Sequence, residues 1–161
     1  MAVDMFLKLD DVKGESRDSK HKEEIDVLAW SWGLAQSGTM HTAQGGGSGK
    51  ASVQDLSLTK YVDKASPNLV MATCSGKHYK EATLVVRKAG GDAPLEYLKL
   101  TLKKVLVSSV STGGSGGEDK LTENVTLNFA EFKLEYFPQK EDGSGDAAIE
   151  AAWHIAENAK V

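Results

Sequence analysis

The 161-residue sequence contains a single cysteine, Cys74, which excludes an internal disulfide and a multi-cysteine zinc site. No apolar run approaches the roughly 20 residues of a membrane-spanning helix, so no membrane insertion is expected. Basic residues do not gather into a long cluster, Lys103-Lys104 being only a pair, and the formal net charge is −4. A nucleic-acid partner needs a concentrated basic surface to neutralise phosphates, and none is expected here. The opening MAVDMFLKLDDV carries acids where a signal peptide has a basic and then an apolar region. The expectation is therefore synthesis in the cytoplasm, with any secretion following a route without a cleaved signal peptide.

Signatures of catalysis are equally sparse. The histidines, His21, His41, His78 and His154, are scattered with no H-x-x-x-H pair, which gives a metal site little support. The run GGGSGKAS invites comparison with a phosphate-binding loop. It fails, because Gln44 stands at the required first glycine and Ala51 at the magnesium-binding hydroxyl. Residues 113–117 match G-x-S-x-G, but a nucleophile elbow joins a strand to a helix, and here strand patterns lie on both sides. No carboxylate pair sits in an apolar setting. We assign no catalytic, metal or cofactor-binding residue and expect no cofactor and no enzyme.

What is present is strand periodicity. Residues 107–137 organise the chain. Before them Leu98, Leu100 and Leu102 alternate with Tyr97, Lys99, Thr101 and Lys103; within them Leu121, Val125, Leu127 and Phe129 alternate with Thr122, Asn124, Thr126 and Asn128. Between the two patterns lies a loop, residues 111–120, with Gly113, Gly114, Gly116 and Gly117. Both strands change phase. After Phe129 the apolar set becomes Ala130, Phe132, Leu134 and Tyr136; past Lys103-Lys104 it moves to Val105 and Val107. A one-residue slip reverses every side chain, so the two breaks predict a hairpin whose strands bend together between two sheets.

The rest of the chain follows in order. Residues 3–9 alternate as a first strand, and the charged residues 10–24 read as an exposed connection. Residues 25–33 read as a strand with Leu28, Trp30 and Trp32 in the core and the small Val27, Ala29 and Ser31 on a flatter face. Residues 37–52 form a long glycine-rich loop with little apolar content, expected to project toward a neighbour. Leu56 and Leu58 mark the next strand. One helix is predicted over about residues 66–75, capped by Ser66, with Pro67 at its first turn, Cys74 packed near its end and Gly76 as its stop. Residues 77–88 form a strand with Ala82, Leu84 and Val86 inward, and residues 89–94 turn into the hairpin. Alanine-rich residues 147–156 have local helix propensity.

The segments IDVLAWSWG, TKYVDKASPNLVMATCSGKHY and above all VSSVSTGGSGGEDKLTENVTLNF resemble the haemolysin-coregulated protein (Hcp) family, the tube protein of bacterial type VI secretion systems. The resemblance implies a mainly β fold, a two-sheet β-barrel with one flanking α-helix, as a single domain over residues 1–161. It implies a homohexamer whose rings stack into a hollow, secreted tube, with tube-tip and sheath components as further partners and effector proteins in the lumen. On this basis Ser31, Ala29 and Val27, and with them Ser115, would face the lumen or its cargo. Met40, His41, Thr42 and Gln44 in the extended loop, residues 37–52, would meet the next ring. The resemblance also favours a closing strand over about residues 151–158, with helix as the alternative. A tail-tube protein of a contractile phage shares ring assembly but lacks these segments. A monomeric β-barrel ligand-binding module explains the strands and not the long loop.

Overall fold

The computed structural model describes residues 3–41, 50–88 and 94–161. Within them the chain is mainly β with one helix, in the order β1 (Val3–Leu9), β2 (Ile25–Asp26), β3 (Ala29–Ser31), β4 (Leu34–Ala35), β5 (Ser52–Val53), β6 (Leu56–Tyr61), α1 (Ser66–Ser75), β7 (His78–Lys88), β8 (Glu96–Thr112), β9 (Thr122–Asn128), β10 (Glu131–Tyr136), β11 (Ile149–His154) and β12 (Ala159–Lys160). The expected turn at residues 89–94 falls, except for Pro94, outside the described residues.

The bent hairpin is there. β8 pairs with β10 along its first half, Leu98↔Tyr136 to Lys103↔Glu131, and with β9 along its second, Leu106↔Asn128 to Thr112↔Glu123. At the junction Lys104 has φ 56°, and the Ala130 N–H donates to the Lys103 carbonyl at 3.0 Å. The inward set of β8 accordingly switches from Leu100 and Leu102 to Val105 and Val107, all buried. One strand thus changes partner at the bend, from β10 to β9, within one continuous sheet.

The barrel closes through residues 25–31. β2 pairs with β1, the Val27 N–H reaches the Met5 carbonyl, the Leu28 N–H reaches the Thr59 carbonyl, and β3 pairs with β6. Hydrogen-bonded neighbours therefore run β1, β7, β8, β9, β6, β3 and back through β2 to β1. β10, β11 and β12 extend the sheet from the first half of β8. The expected single strand over residues 25–33 is thus split, because its partner changes midway. That switch turns Val27 into the core, 6 % exposed, and leaves Leu28 40 % exposed, reversing both expectations. Trp30 and Trp32 pack against the core as expected.

Helix α1 packs against β8 and buries Leu69 and Ala72. Gly76 ends it at φ 68°, a left-handed conformation that glycine adopts without strain. Its start differs from expectation. Ser66 does not cap, and an Asp63 carboxylate oxygen accepts the Ala65 N–H instead. The Ser66 hydroxyl accepts the Asp63 N–H and donates to the Glu123 carboxylate. Cys74 is exposed, not packed, since the helix buries the face carrying Leu69 and Ala72.

Residues 10–24 also depart from expectation: they form a packed lobe over the outer face of β1 and β7. Asp18 holds the buried Arg87 guanidinium at 3.1 and 2.6 Å, Asp4 adds 3.0 Å, and the guanidinium stands over the Phe6 ring. That hydrogen bonding keeps the Asp18 carboxyl well below the usual carboxylate range. A Cβ on Gly14 would lie 2.5 Å from the Glu24 carbonyl oxygen, so the two arms of the lobe need glycine to approach. The charges were readable as solvated only because their partners are distant in sequence. The C-terminal segment is strand and not helix, but it is displaced from the expected residues 151–158: β11 spans Ile149–His154, paired along its whole length with β10, and residues 155–158 turn back into β12.

Candidate functional site

In β6 and β9 the residues between the buried ones face outward. Leu56, Leu58, Val125 and Leu127 fill the barrel, which leaves Ser57, Thr59, Asn124 and Thr126 on the outer surface. β3 adds to this surface on one side and the second half of β8 on the other. Register aligns two rows across four strands: Ala29, Thr59, Asn124 and Ser111, and beside it Ser31, Ser57, Thr126 and Ser109. No ionisable group occurs in either row.

Hydrogen bonds order this face. Thr59 donates to Asn124 at 2.8 Å. Asp55, at the margin, accepts Ser108 Oγ–H at 2.7 Å and Asn128 Nδ2–H at 2.8 Å. Thr126 Oγ1 lies 2.6 Å from both Ser108 and Ser109 Oγ. The ionised carboxylate can only accept, and each hydroxyl has one proton. The chain of donors therefore runs Ser109 to Thr126 to Ser108 to Asp55. A polar relay with one direction holds the side chains in place without a fixed charge at its centre.

The outer face of the other half of the barrel differs. β8, β10 and β11 present Lys99, Lys103, Glu131, Lys133, Glu135, Glu150 and His154 in cross-strand register. Lys133 pairs with Glu150 at 3.3 Å, and His154 Nε2 lies 3.7 Å from Glu131. One outward surface is thus a mixed-charge ladder and the other a neutral sheet of small hydroxyl side chains.

Of the residues singled out from sequence, Ala29 and Ser31 are exposed on the neutral face, whereas Val27 is in the core and has no place there. Ser115 is exposed in the β8–β9 loop, where it accepts the Gly117 N–H at 3.3 Å. That loop and Ser31 lie toward opposite ends of the sheet, so the two serines are not brought together. Met40 and His41 are exposed on an arm whose base is the β4–β5 pair, Met40 at 82 %. Thr42 and Gln44 lie outside the described residues. Sequence reasoning missed Ser57, Thr59, Asn124, Thr126 and Ser109. Their signal was the run of Thr, Asn, Thr and Asn at the outward positions of β9, matched by Ser57 and Thr59 in β6.

It also missed a buried ion pair. Lys60 and Glu123, each 1 % exposed, meet at 2.5 Å beneath α1, and Lys60 further contacts Asp63 and Ser66. Both continue the inward phase of their strands, which the alternation itself shows.

The family described as "Type VI secretion system effector, Hcp" matches residues 6–136. The chain is 65 % identical over 159 residues to protein hcp1 of Pseudomonas aeruginosa, covering 98 % of each. Among solved structures it resembles that of a type six secretion system protein, with a TM-score of 0.92 and 34 % identity over 99 % of this chain and all of the other. It also resembles Hcp1 from Salmonella typhimurium, with a TM-score of 0.82 and 44 % identity over the whole of both chains. Matched along nearly its full length in both sequence and fold, the chain belongs to the Hcp family, the structural tube proteins of type VI secretion systems.

Proposed function

We propose that this chain, as a single barrel unit over residues 1–161, assembles into homohexameric rings that stack into a hollow tube with the neutral hydroxyl face lining the bore. The observation that carries this reading is the contrast between the two outward surfaces of the barrel. A bore that admits polypeptides of differing charge is served by small side chains and no fixed charge, which the Ser31 and Ala29 rows supply. Long-range attraction or repulsion would otherwise select cargo by sign. The mixed-charge face of β8, β10 and β11 then looks outward, toward sheath components or solvent. The arm of residues 37–52, with Met40 and His41 exposed at its described part, reaches the next ring. Ser115 belongs to the rim. Tube-tip components contact the end ring, and effectors ride inside. The assembly is secreted from the cell.

The test has two arms. Light scattering on the purified protein is expected to give about six chain masses, as closed cyclic symmetry requires; a single chain at micromolar concentration contradicts ring assembly. Ser31→Gln is expected to leave that mass unchanged while weakening retention of a bound effector, and unchanged retention would remove Ser31 from the bore.

A further inference from the structure

The lobe formed by residues 10–24 is held by charge far more than by apolar burial. Val12 is its one large buried apolar side chain. Its second clamp, apart from Asp18 on Arg87, is His21. The imidazole stacks on Phe6 of β1 at 4.4 Å and 11°. Its Nδ1 lies 3.0 Å from Glu24 Oε1 on the lobe itself, and its Nε2 lies 2.6 Å from Glu96 Oε1 on β8. Asp18 is close by on the lobe, its carbonyl accepting the His21 N–H. From β7 the Arg87 guanidinium also sits over Phe6, already engaged by Asp18 and by Asp4 of β1.

Ionised carboxylates only accept hydrogen bonds. Both contacts of His21 are therefore hydrogen bonds only while both ring nitrogens carry protons. Loss of either proton turns one contact into a lone pair facing a carboxylate, inside a site where the His21 side chain is 9 % exposed. We propose that residues 10–24 are a proton-controlled flap, clamped down while His21 holds both protons and released when it loses one. Release uncovers Phe6, an outward aromatic side chain only 4 % exposed beneath the His21 ring. It also removes Glu15 and Arg17 from the wall of a groove of about 680 Å³ that they share with Tyr61, Val62 and Leu121. The flap is a property of one chain and stands whether or not rings form.

The test is amide hydrogen exchange on the purified full-length protein at about pH 6 and about pH 9, corrected for intrinsic exchange rates. The amides of Gly14, Ser16 and Glu23, which bond across the lobe, are expected to lose protection on the order of tenfold or more at the higher pH, the effect of one lost charge-assisted hydrogen bond. Amides of β8 are expected to hold theirs. In His21→Gln the lobe is expected to exchange fast at both pH values. Equal protection of the wild-type lobe at both, or a pH response retained in His21→Gln, overturns the proposal. Nitrogen NMR of the wild-type ring gives a reading independent of any variant: two protonated nitrogens in the protected state support the clamp, and one contradicts it.

Discussion

Replacing Glu123 by leucine removes one half of the ion pair beneath α1, and the geometry sets the size of the effect. Lys60 Nζ has three partners, Glu123, Asp63 and Ser66, so Glu123→Leu leaves an ammonium with two, in a site where the lysine is 1 % exposed. Breaking a buried pair from one side costs about 3–5 kcal/mol, and the residual contacts place this variant at about 3. Lys60→Met leaves Glu123 with the Ser66 hydroxyl and, among the described residues, no other cation, and is expected to cost about 4–5 kcal/mol. The double variant removes both charges together and fills similar volume, so its cost is expected to fall to about 1 kcal/mol. Urea unfolding at one fixed protein concentration measures all four chains, the concentration being held because assembly raises apparent stability. In thermal unfolding the Glu123→Leu loss corresponds to a midpoint lower by about 6–12 °C. The reasoning is refuted if either single variant costs less than about 1 kcal/mol, or if the double variant costs the sum of the two.

Further outcomes follow from other parts of the barrel. Lys104 bends the long hairpin with φ 56°, so Lys104→Gly is expected to raise stability by about 0.5–1 kcal/mol and Lys104→Val to lower it by about 1–2, both read as shifts in the urea midpoint. Hydrogen bonding to Arg87 lowers the Asp18 carboxyl in the folded state. Its contribution is complete above the unfolded carboxylate range and is lost as pH falls through the folded value. Wild-type stability is therefore expected to drop more steeply than that of Asp18→Asn below about pH 4, and parallel acid profiles would contradict the pairing. Cys74 is exposed and is expected to react with a thiol reagent in the folded single chain without prior unfolding; protection in that chain would show it packed.

Period-two alternation carried most of what was legible in the sequence. It located the bend, because a change of phase at Lys103-Lys104 and at Ala130 has no other local cause, and the structure puts Lys103 opposite Glu131. The same alternation contained the buried Lys60 and Glu123, hidden only by the habit of placing charges outside. Residues 10–24 were illegible for a different reason: Arg87 and Glu96, which hold Asp18 and His21, are distant along the chain. The split of residues 25–31 is likewise topological, since nothing local says that a strand will leave β1 for β6. At residues 149–154 pairing with β10 overrides alanine's helical preference. The neutral face was half legible. Ala29 and Ser31 were seen as small, but their continuation through Ser57, Thr59, Asn124 and Thr126 needed the strand order.

An electron cryo-microscopy map of the purified assembly, solved to side-chain detail, tests the central claim most directly. The account predicts a closed six-membered ring with the Ser31, Ser57 and Thr126 row lining its bore and Lys99, Lys133 and Glu135 on its outer wall. A ring whose bore is lined by the charged ladder of β8 and β10, or particles of a single chain, would contradict it.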